Sequence, residues 1–171
     1  MTLTVVPRVL TDRLELKSLT SRAAAALSDD RTETSRLLGA SLPDAWPEAN
    51  VLGLLALRPP ASEEAERFGV WVVIERESGS VVGDIGFKGP PDDTGTIEIG
   101  YSIVADWRRR GYAKEAAAGL VGWALTQPDV RTIVAATDPG NEPSMRTLEA
   151  VGFHRTGEDD GEIRWRYVPE P

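Results

Sequence analysis

The chain reads Thr96-Ile97-Glu98-Ile99-Gly100-Tyr101-Ser102-Ile103-Val104 and then, after a short connection, Arg108-Arg109-Arg110-Gly111-Tyr112-Ala113. The first stretch alternates, which predicts a β-strand with one face against a core. One face carries Thr96, Glu98, Gly100 and Ser102, and the apolar face carries Ile97, Ile99, Tyr101 and Ile103. The second stretch is a basic loop that leads into good helix formers at residues 113–125. A β-branched run at residues 132–137 follows. Together these segments predict two parallel strands joined by a right-handed helical crossover.

The segments on either side extend this unit into a mixed α/β pattern. Residues 69–76 and 81–87 predict a hairpin, which forms an antiparallel meander with the strand at 96–104. Residues 11–20 predict a first strand, followed by an alanine-rich helix and two or three short helices before residue 60. Downstream, a helix begins near Asn141 and ends at Gly152, and residues 153–168 predict two more strands. We therefore expect an α/β (α+β) domain over residues 1–171, with helices flanking a mixed, mostly antiparallel sheet.

Composition excludes several classes of function. The 171 residues are 41% hydrophobic, enough for one compact domain, and the net charge of −8 opposes binding to nucleic acid or anionic lipid. Cysteine is absent and His154 is the only histidine, which excludes a cysteine nucleophile and argues against a histidine-based metal site. The first residues do not resemble a signal peptide, and no apolar run reaches membrane-spanning length. The expected location is the cytoplasm, with no metal and no membrane partner.

The basic loop at residues 108–113 has the features of an anion site. It joins a strand end to a helix start, where unpartnered N–H groups and the helix dipole favour negative charge. The loop contains no Ser, Thr, Asp or Asn to cap those donors, and Gly111 permits close approach of a ligand to the backbone. A solvated helix entrance that merely carries arginines is the alternative. No Walker motif or triple-glycine fingerprint is present, which disfavours nucleoside triphosphates and NAD.

Three motifs in order resemble the GCN5-related N-acetyltransferase (GNAT) superfamily. They are Glu98-Ile99-Gly100-Tyr101, then Arg108-Arg109-Arg110-Gly111-Tyr112-Ala113-Lys114-Glu115-Ala116, then Asn141-Glu142-Pro143-Ser144 closing on Gly152-Phe153. Within the superfamily, the chain is most similar to the branch that contains the ribosomal-protein N-terminal acetyltransferases RimJ and RimL. Its first motif, at residues 11–16, also resembles that branch. The resemblance implies a GNAT fold whose sheet splays in a V between the fourth and fifth strands, those at 96–104 and 132–137.

The same resemblance implies acetyl-CoA as cosubstrate, lying in that V. Its pantetheine would pair with the backbone of Ile103 and Val104, because a strand that loses its neighbour exposes unpaired N–H and C=O groups. Its pyrophosphate would lie on the loop residues Arg108, Arg109, Arg110, Gly111, Tyr112 and Ala113. The reaction implied is transfer of an acetyl group to a primary amine, either a protein N-terminus or a small molecule. The resemblance also admits a homodimer.

Glu98 and Ser144 are the expected catalytic residues. An alkyl amine with a pKa of about 10.4 is mostly protonated at pH 7, so a base must take its proton, and in this branch the Glu of the motif is the proposed base. Ser144 would hand a proton to the departing thiolate, and Asn141 would hydrogen-bond the pantetheine. Many family members place a Tyr acid one turn after the Ser, where this chain has Leu148. The alternatives are an ion-paired strand carboxylate for Glu98 and helix capping for Asn141 and Ser144.

Two other functions remain in competition with an enzyme. A non-catalytic acyl-CoA-binding module would keep the loop while Glu98 and Ser144 did no chemistry. An arginine-rich nucleic-acid contact is disfavoured by the net charge of −8. Trp46 lies in an irregular, proline-containing segment and is expected either to anchor that segment or to line the acceptor pocket.

Overall fold

The computed structural model describes residues 5–57, 61–169 and 171. Its helices and strands, in chain order, are β1 Arg8–Leu10, β2 Leu14–Ser18, α1 Ser21–Asp29, α2 Arg31–Leu38, α3 Ala49–Leu57, α4 Glu63–Arg67, β3 Val70–Glu75, β4 Ser80–Phe87, β5 Thr96–Ile103, α5 Tyr112–Leu125, β6 Thr132–Thr137, α6 Glu142–Val151, β7 Phe153–Asp159 and β8 Glu162–Tyr167. A 3₁₀ turn, Ala105–Trp107, connects β5 to the basic loop. None of the helices in this part of the chain is long and apolar enough to cross a bilayer.

The strands form one sheet in the order β1-β2-β3-β4-β5-β6-β8-β7. Every neighbouring pair is antiparallel except β5 and β6, which are parallel and connected through α5. The predicted mixed, mostly antiparallel sheet is therefore confirmed, as is the meander β3–β4–β5. Strand β1 escaped prediction because its three residues, Arg8–Leu10, are mostly exposed and too few to show alternation. It shifts the count, so the strands expected as fourth and fifth are the fifth and sixth.

The sheet splays between β5 and β6. Their pairing runs from Thr96 opposite Thr132 to Ile99 opposite Ala135 and stops there. Beyond this point β5 continues to Ile103 against β4, while the last residues of β6 pair with β8. We call the resulting space the β5–β6 opening. It confirms the V-shaped gap that the family resemblance implied.

Each face of the sheet has its own core. Helices α5 and α6 cover one face, where Trp71 of β3 packs in the same cluster as Leu120. Helices α1 and α2 cover the other, where Val72 clusters with Leu38 and Trp46. Burying each of these side chains contributes about 1.5–3 kcal/mol. Trp46 is only 1% exposed, so it anchors the irregular segment before α3.

Candidate functional site

The backbone of β5 presents unpaired groups to the β5–β6 opening. The amide of Lys88 donates to the carbonyl of Glu98 at 3.0 Å, and that of Val104 donates to Val82 at 2.9 Å. Backbone polar groups alternate in direction along a strand, so those of Tyr101 and Ile103 face the opposite way, toward the opening. Because β6 has diverged before Tyr101, this edge is available to an amide-containing chain.

This geometry changes the groups expected to meet a pantetheine. Val104 uses its amide within the protein, in the bond to Val82. The carbonyl of Ile103 accepts a 2.7 Å hydrogen bond from Nε of Arg108, whose Nη2 lies 3.5 Å from a carboxylate oxygen of Glu48. The Arg108 side chain thus folds back along β5. Tyr101, which the sequence placed only on the apolar face, joins Ile103 at the open edge.

The basic loop leaves the N-terminus of α5 without a side-chain cap. Gly111 is the N-cap residue in the left-handed conformation, with φ of 80°, and no side chain among the described residues caps the helix there by a hydrogen bond. Four other helices are capped by side chains, those of Thr20, Asp30, Ser62 and Asn141. The first amides of α5, beginning at Tyr112 and Ala113, are therefore available to an anion.

Two further arginines shape this loop. Arg109 also has a positive φ, of 63°, which is costly for a residue with a side chain and marks a constrained turn. The guanidinium of Arg110 lies 4.9 Å from the centre of the Trp107 ring, and its Nη2 donates to the carbonyl of Asp106. The Tyr112 ring is buried, so Tyr112 offers the loop its backbone amide and not its hydroxyl.

A residue that the sequence did not single out holds the loop in place. Arg13 donates from Nε to Glu115 at 2.7 Å and from Nη1 to the carbonyl of Arg110 at 2.8 Å. Its guanidinium lies 4.5 Å from the centre of the Tyr112 ring. Burial pushes the pKa of Glu115 up, but hydrogen bonds from Thr11 and Arg13 outweigh it and hold that pKa below its ordinary value. The two ends of this contact are so distant in sequence that only the β2–α5 packing reveals it.

A polar cavity of about 180 Å³ fills the β5–β6 opening next to α6. Within it the hydroxyl of Tyr101 lies 2.9 Å from Oγ of Ser144 and donates to the Ser144 carbonyl at 3.2 Å. Burial raises the pKa of Tyr101, with hydrogen bonds from Ser144 and Thr147 acting against it, so the phenol keeps its proton at neutral pH. Asn141 also lines the cavity and caps α6 through a 3.3 Å bond from the Ser144 amide.

Gly100 connects this cavity with the other face of the sheet. It lines the cavity and is exposed, its φ is not positive, and a Cβ built on it would meet nothing within 4 Å. Its ladder partner Gly86 is different, since a Cβ there would lie 2.1 Å from the carbonyl oxygen of Gly69. Packing therefore requires glycine at 86, whereas at 100 the absent side chain leaves open space.

Glu98 lies on the α1/α2 face of β5, two residues before Gly100. Its carboxylate is ion-paired with Lys88, the residue that follows β4, and its side chain is 23% exposed. Tyr101 reaches Ser144 from the opposite face, because side chains alternate along a strand. The two expected catalytic residues are thus on opposite sides of β5, with Gly100 between them.

A larger, apolar cavity of about 380 Å³ lies near the Glu98 end of β5. We call it the apolar cavity. It is bounded by α3, α4 and the adjoining ends of β3 and β4, and its lining is Leu19, Leu54, Leu55, Ala65, Glu66, Phe68, Gly69, Val70, Phe87, Lys88, Gly89 and Pro90. The sequence patterns predicted none of these residues as part of a binding site, because the wall is assembled from several separate segments. Across the described ranges, no group of three His, Asp or Glu side chains is placed to hold a metal ion.

Known proteins resemble this chain in sequence. A family model described as an acetyltransferase (GNAT) domain matches residues 13–154. The N-acetyltransferase YjdG of Bacillus subtilis, itself uncharacterised, is 30% identical over 161 residues, covering 92% of this chain and 96% of YjdG.

Two solved structures share the fold. The ribosomal-protein-S5-alanine acetyltransferase of Vibrio fischeri superposes with a TM-score of 0.65 at 18% identity, covering 95% of this chain and 96% of that one. The microcin C7 self-immunity acetyltransferase MccE, solved with acetyl-CoA and AMP, superposes with a TM-score of 0.63 at 14% identity, covering 93% and 94%.

Proposed function

Because the chain belongs to the GNAT family of acetyltransferases, we propose that it is an active N-acetyltransferase that uses acetyl-CoA to acetylate a primary amine. The observation that carries the proposal is the uncapped N-terminus of α5, next to a strand edge with unpaired backbone groups. The acetyl-CoA in the solved structure of MccE supports the choice of donor. We further propose a single domain in the cytoplasm, related to the RimJ and RimL branch, with a homodimer as the form to test.

The donor is held mainly by backbone. When bound, acetyl-CoA supplies a thioester that an amine can attack. The amides of the N-cap residue Gly111 and of Tyr112 and Ala113 in the first turn of α5 would receive the pyrophosphate. Arg109 and Arg110 would add positive potential. The backbone of Tyr101 and the amide of Ile103 would pair with the pantetheine in place of a strand, and Asn141 would meet it on the α6 side. Arg108 would act indirectly, by fixing the carbonyl of Ile103.

Protons move on the two sides of β5. Glu98 takes the proton of the incoming amine on the α1/α2 face, beside Gly100. The departing thiolate takes a proton from Oγ of Ser144 on the other face, and the adjacent Tyr101 hydroxyl replaces that proton. Solvent then returns a proton to Tyr101 and removes the one held by Glu98. In this chain position 148 on α6 is a leucine, and Tyr101 on β5 places a phenol next to Ser144 instead. The placement of base and acid on opposite faces supports this division of roles.

The test of this proposal is Glu98→Gln, which keeps the size of the side chain and removes the base. At pH 7 we expect kcat to fall about 100-fold, with KM for acetyl-CoA nearly unchanged. The loss should shrink toward pH 10, where the amine deprotonates without help. Thiol release reports turnover directly, because the protein contains no cysteine of its own.

Glu15→Gln is a matched control. Glu15 is also an ion-paired strand carboxylate, with a side chain 22% exposed against 23% for Glu98. It should retain wild-type turnover. If Glu98→Gln also retains it, Glu98 is a structural carboxylate. If the wild-type protein binds acetyl-CoA but acetylates no amine in a broad panel, the non-catalytic acyl-CoA-binding module replaces the enzyme.

A further inference from the structure

We infer that the apolar cavity binds the carbon framework of the acceptor, and that the acceptor is a primary amine carrying an aromatic or branched aliphatic group. The inference deepens the proposed function and rests on it, because it takes Glu98 as the base beside the cavity. It selects among the acceptors that the sequence left open, from peptides to polyamines and amino sugars.

The size and lining of the cavity fit an apolar group. Its volume of about 380 Å³ lies in the range of small-molecule sites. Phe68 and Phe87 form part of the wall, with their ring centroids 5.9 Å apart. Leu54 and Leu55 of α3 and Leu19, which follows β2, add apolar side chains to the wall. Such a wall gains free energy from apolar surface and offers few partners to hydroxyl or amino groups.

The charged groups of the wall already have protein partners. Glu66 accepts a 2.7 Å hydrogen bond from the amide of Ser21 through Oε1, and its carbonyl accepts one from Ser18. Lys88 is ion-paired with Glu98. A polyamine or an amino sugar carries several polar or charged groups, whereas the charged residues of this wall are one glutamate and one lysine, both already partnered. Polycationic acceptors are therefore disfavoured on charge as well as on polarity.

The position of Glu98 sets the orientation of such an acceptor in the cavity. Lys88 lines the cavity and is ion-paired with Glu98, so the Glu98 carboxylate lies one ion pair away from the cavity wall. With the apolar group in the cavity, the nitrogen points toward Glu98 and the β5–β6 opening. The same chemistry occurs in a free amine and in a peptide whose first residue is apolar, and the experiment distinguishes these sources.

Helix α3 offers a matched pair of positions for the test. Leu52 and Leu54 are both 38% exposed on this helix, but only Leu54 lines the cavity. Replacing either exposed leucine by asparagine removes apolar surface without leaving a hole in the core. Any difference between Leu54→Asn and Leu52→Asn therefore reports on the cavity and not on general stability.

The experiment measures kcat/KM for 2-phenylethylamine, 3-methylbutylamine and spermidine, and for the peptides Phe-Gly-Gly and Ser-Gly-Gly. We expect at least a 10-fold preference for the apolar member of each arm, and the arm with the larger kcat/KM identifies the source. Leu54→Asn should lower kcat/KM for the preferred acceptor about 5-fold, while Leu52→Asn stays within about 2-fold of wild type. Thermal unfolding checks that both variants fold.

Failure of this inference differs from failure of the proposed function. Turnover that favours spermidine or Ser-Gly-Gly, or equal effects of the two leucine variants, overturns the cavity assignment and leaves the acetyltransferase intact. If no amine is acetylated, the enzyme proposal fails, and equilibrium binding of 2-phenylethylamine decides the cavity. Binding weakened by Leu54→Asn and not by Leu52→Asn supports the site, and any other pattern overturns it.

Discussion

The β5–β6 opening and the apolar cavity are built in opposite ways. The opening is polar, and its key groups are backbone amides and hydroxyls carried by three consecutive elements, β5, α5 and β6, and by the start of α6. The apolar cavity is lined by carbon from the N-terminal helices and the ends of β3 and β4. A ligand held by backbone leaves local sequence motifs, whereas a ligand held by packed side chains leaves none.

This difference matches the division of labour in the proposed reaction. The proposed donor, acetyl-CoA, would be held by a site built from backbone groups and short motifs. The acceptor varies between enzymes, and segments whose side chains can change without disturbing the sheet suit that role. Gly100 is the point at which the two regions meet, and it provides the most direct way to separate them.

Gly100→Leu should have the largest effect. Its side chain would fill the space between the β5–β6 opening and the face that carries Glu98, so we expect acetyl transfer to fall at least about 100-fold. Stability should not fall, because the backbone conformation is ordinary, the Cβ meets nothing within 4 Å and leucine is better suited to a strand than glycine. Steady-state kinetics and thermal unfolding measure the two quantities.

Gly122→Leu serves as the control for Gly100→Leu. Gly122 lies in α5 and also has open space around its Cβ, but it lines neither cavity. It should leave kcat/KM unchanged. Retention of more than half the activity in Gly100→Leu would show that the acetyl group does not pass this point, and the two regions would then not form one site.

Asp84→Asn tests whether the face that carries Glu98 holds a second working carboxyl. Asp84 is 8% exposed; burial raises its pKa to about 6, although a 3.0 Å hydrogen bond from Nε1 of Trp46 acts against the rise. The folded state therefore holds a proton between about pH 4 and 6 that the unfolded chain has lost, so stability falls as pH rises through this interval. Asp84→Asn should raise the free energy of unfolding by about 2 kcal/mol above pH 6 and by little near pH 4.

Asp92→Asn should show the opposite sign. Hydrogen bonds from the side chain of Thr94 and from the amides of Thr96 and Thr94 lower the pKa of this exposed carboxyl, so neutralising it should reduce stability at neutral pH. Chemical denaturation at pH 4 and pH 7.5 measures the stability of both variants.

The activity of Asp84→Asn decides its role. Loss of turnover in a well-folded Asp84→Asn protein would contradict a purely structural role and assign Asp84 to the acceptor side.

The contrast between the two regions also explains what the sequence could predict. The β5–α5–β6 unit was predictable because alternation, helix propensity and the glycine at 111 are local signals that agree with one another. Helix α4 was missed, since its five residues, Glu63–Arg67, are polar and bury no side chain. The ion pairs could not be predicted, because they depend on how the elements pack. The Lys88–Glu98 and Arg13–Glu115 pairs form only when strands and helices are placed side by side.

Tyr101 shows the same limit within a well-predicted strand. Alternation placed it correctly on the apolar face with Ile99 and Ile103, which suggested a core residue. Its hydroxyl finds Ser144 only because β6 diverges after Ala135 and leaves room for the start of α6. The face on which Tyr101 lies was therefore predictable from the sequence, but its hydrogen-bond partner depends on the tertiary structure.

Tyr101→Phe should have the smallest effect, confined to the β5–β6 opening. Removing the hydroxyl leaves Ser144 without the group that replaces its proton, so we expect kcat to fall about 10-fold while KM for the acceptor is unchanged. Ser144→Ala should act similarly, and the double variant should be no worse than the poorer single one, since both hydroxyls serve one proton transfer. Tyr167→Phe, whose ring packs on Phe153 at 5.5 Å, is the control and should keep wild-type kcat. Additive losses in the double variant would mean that the two hydroxyls act independently, and the role of Tyr101 in supplying the proton of Ser144 would then be wrong.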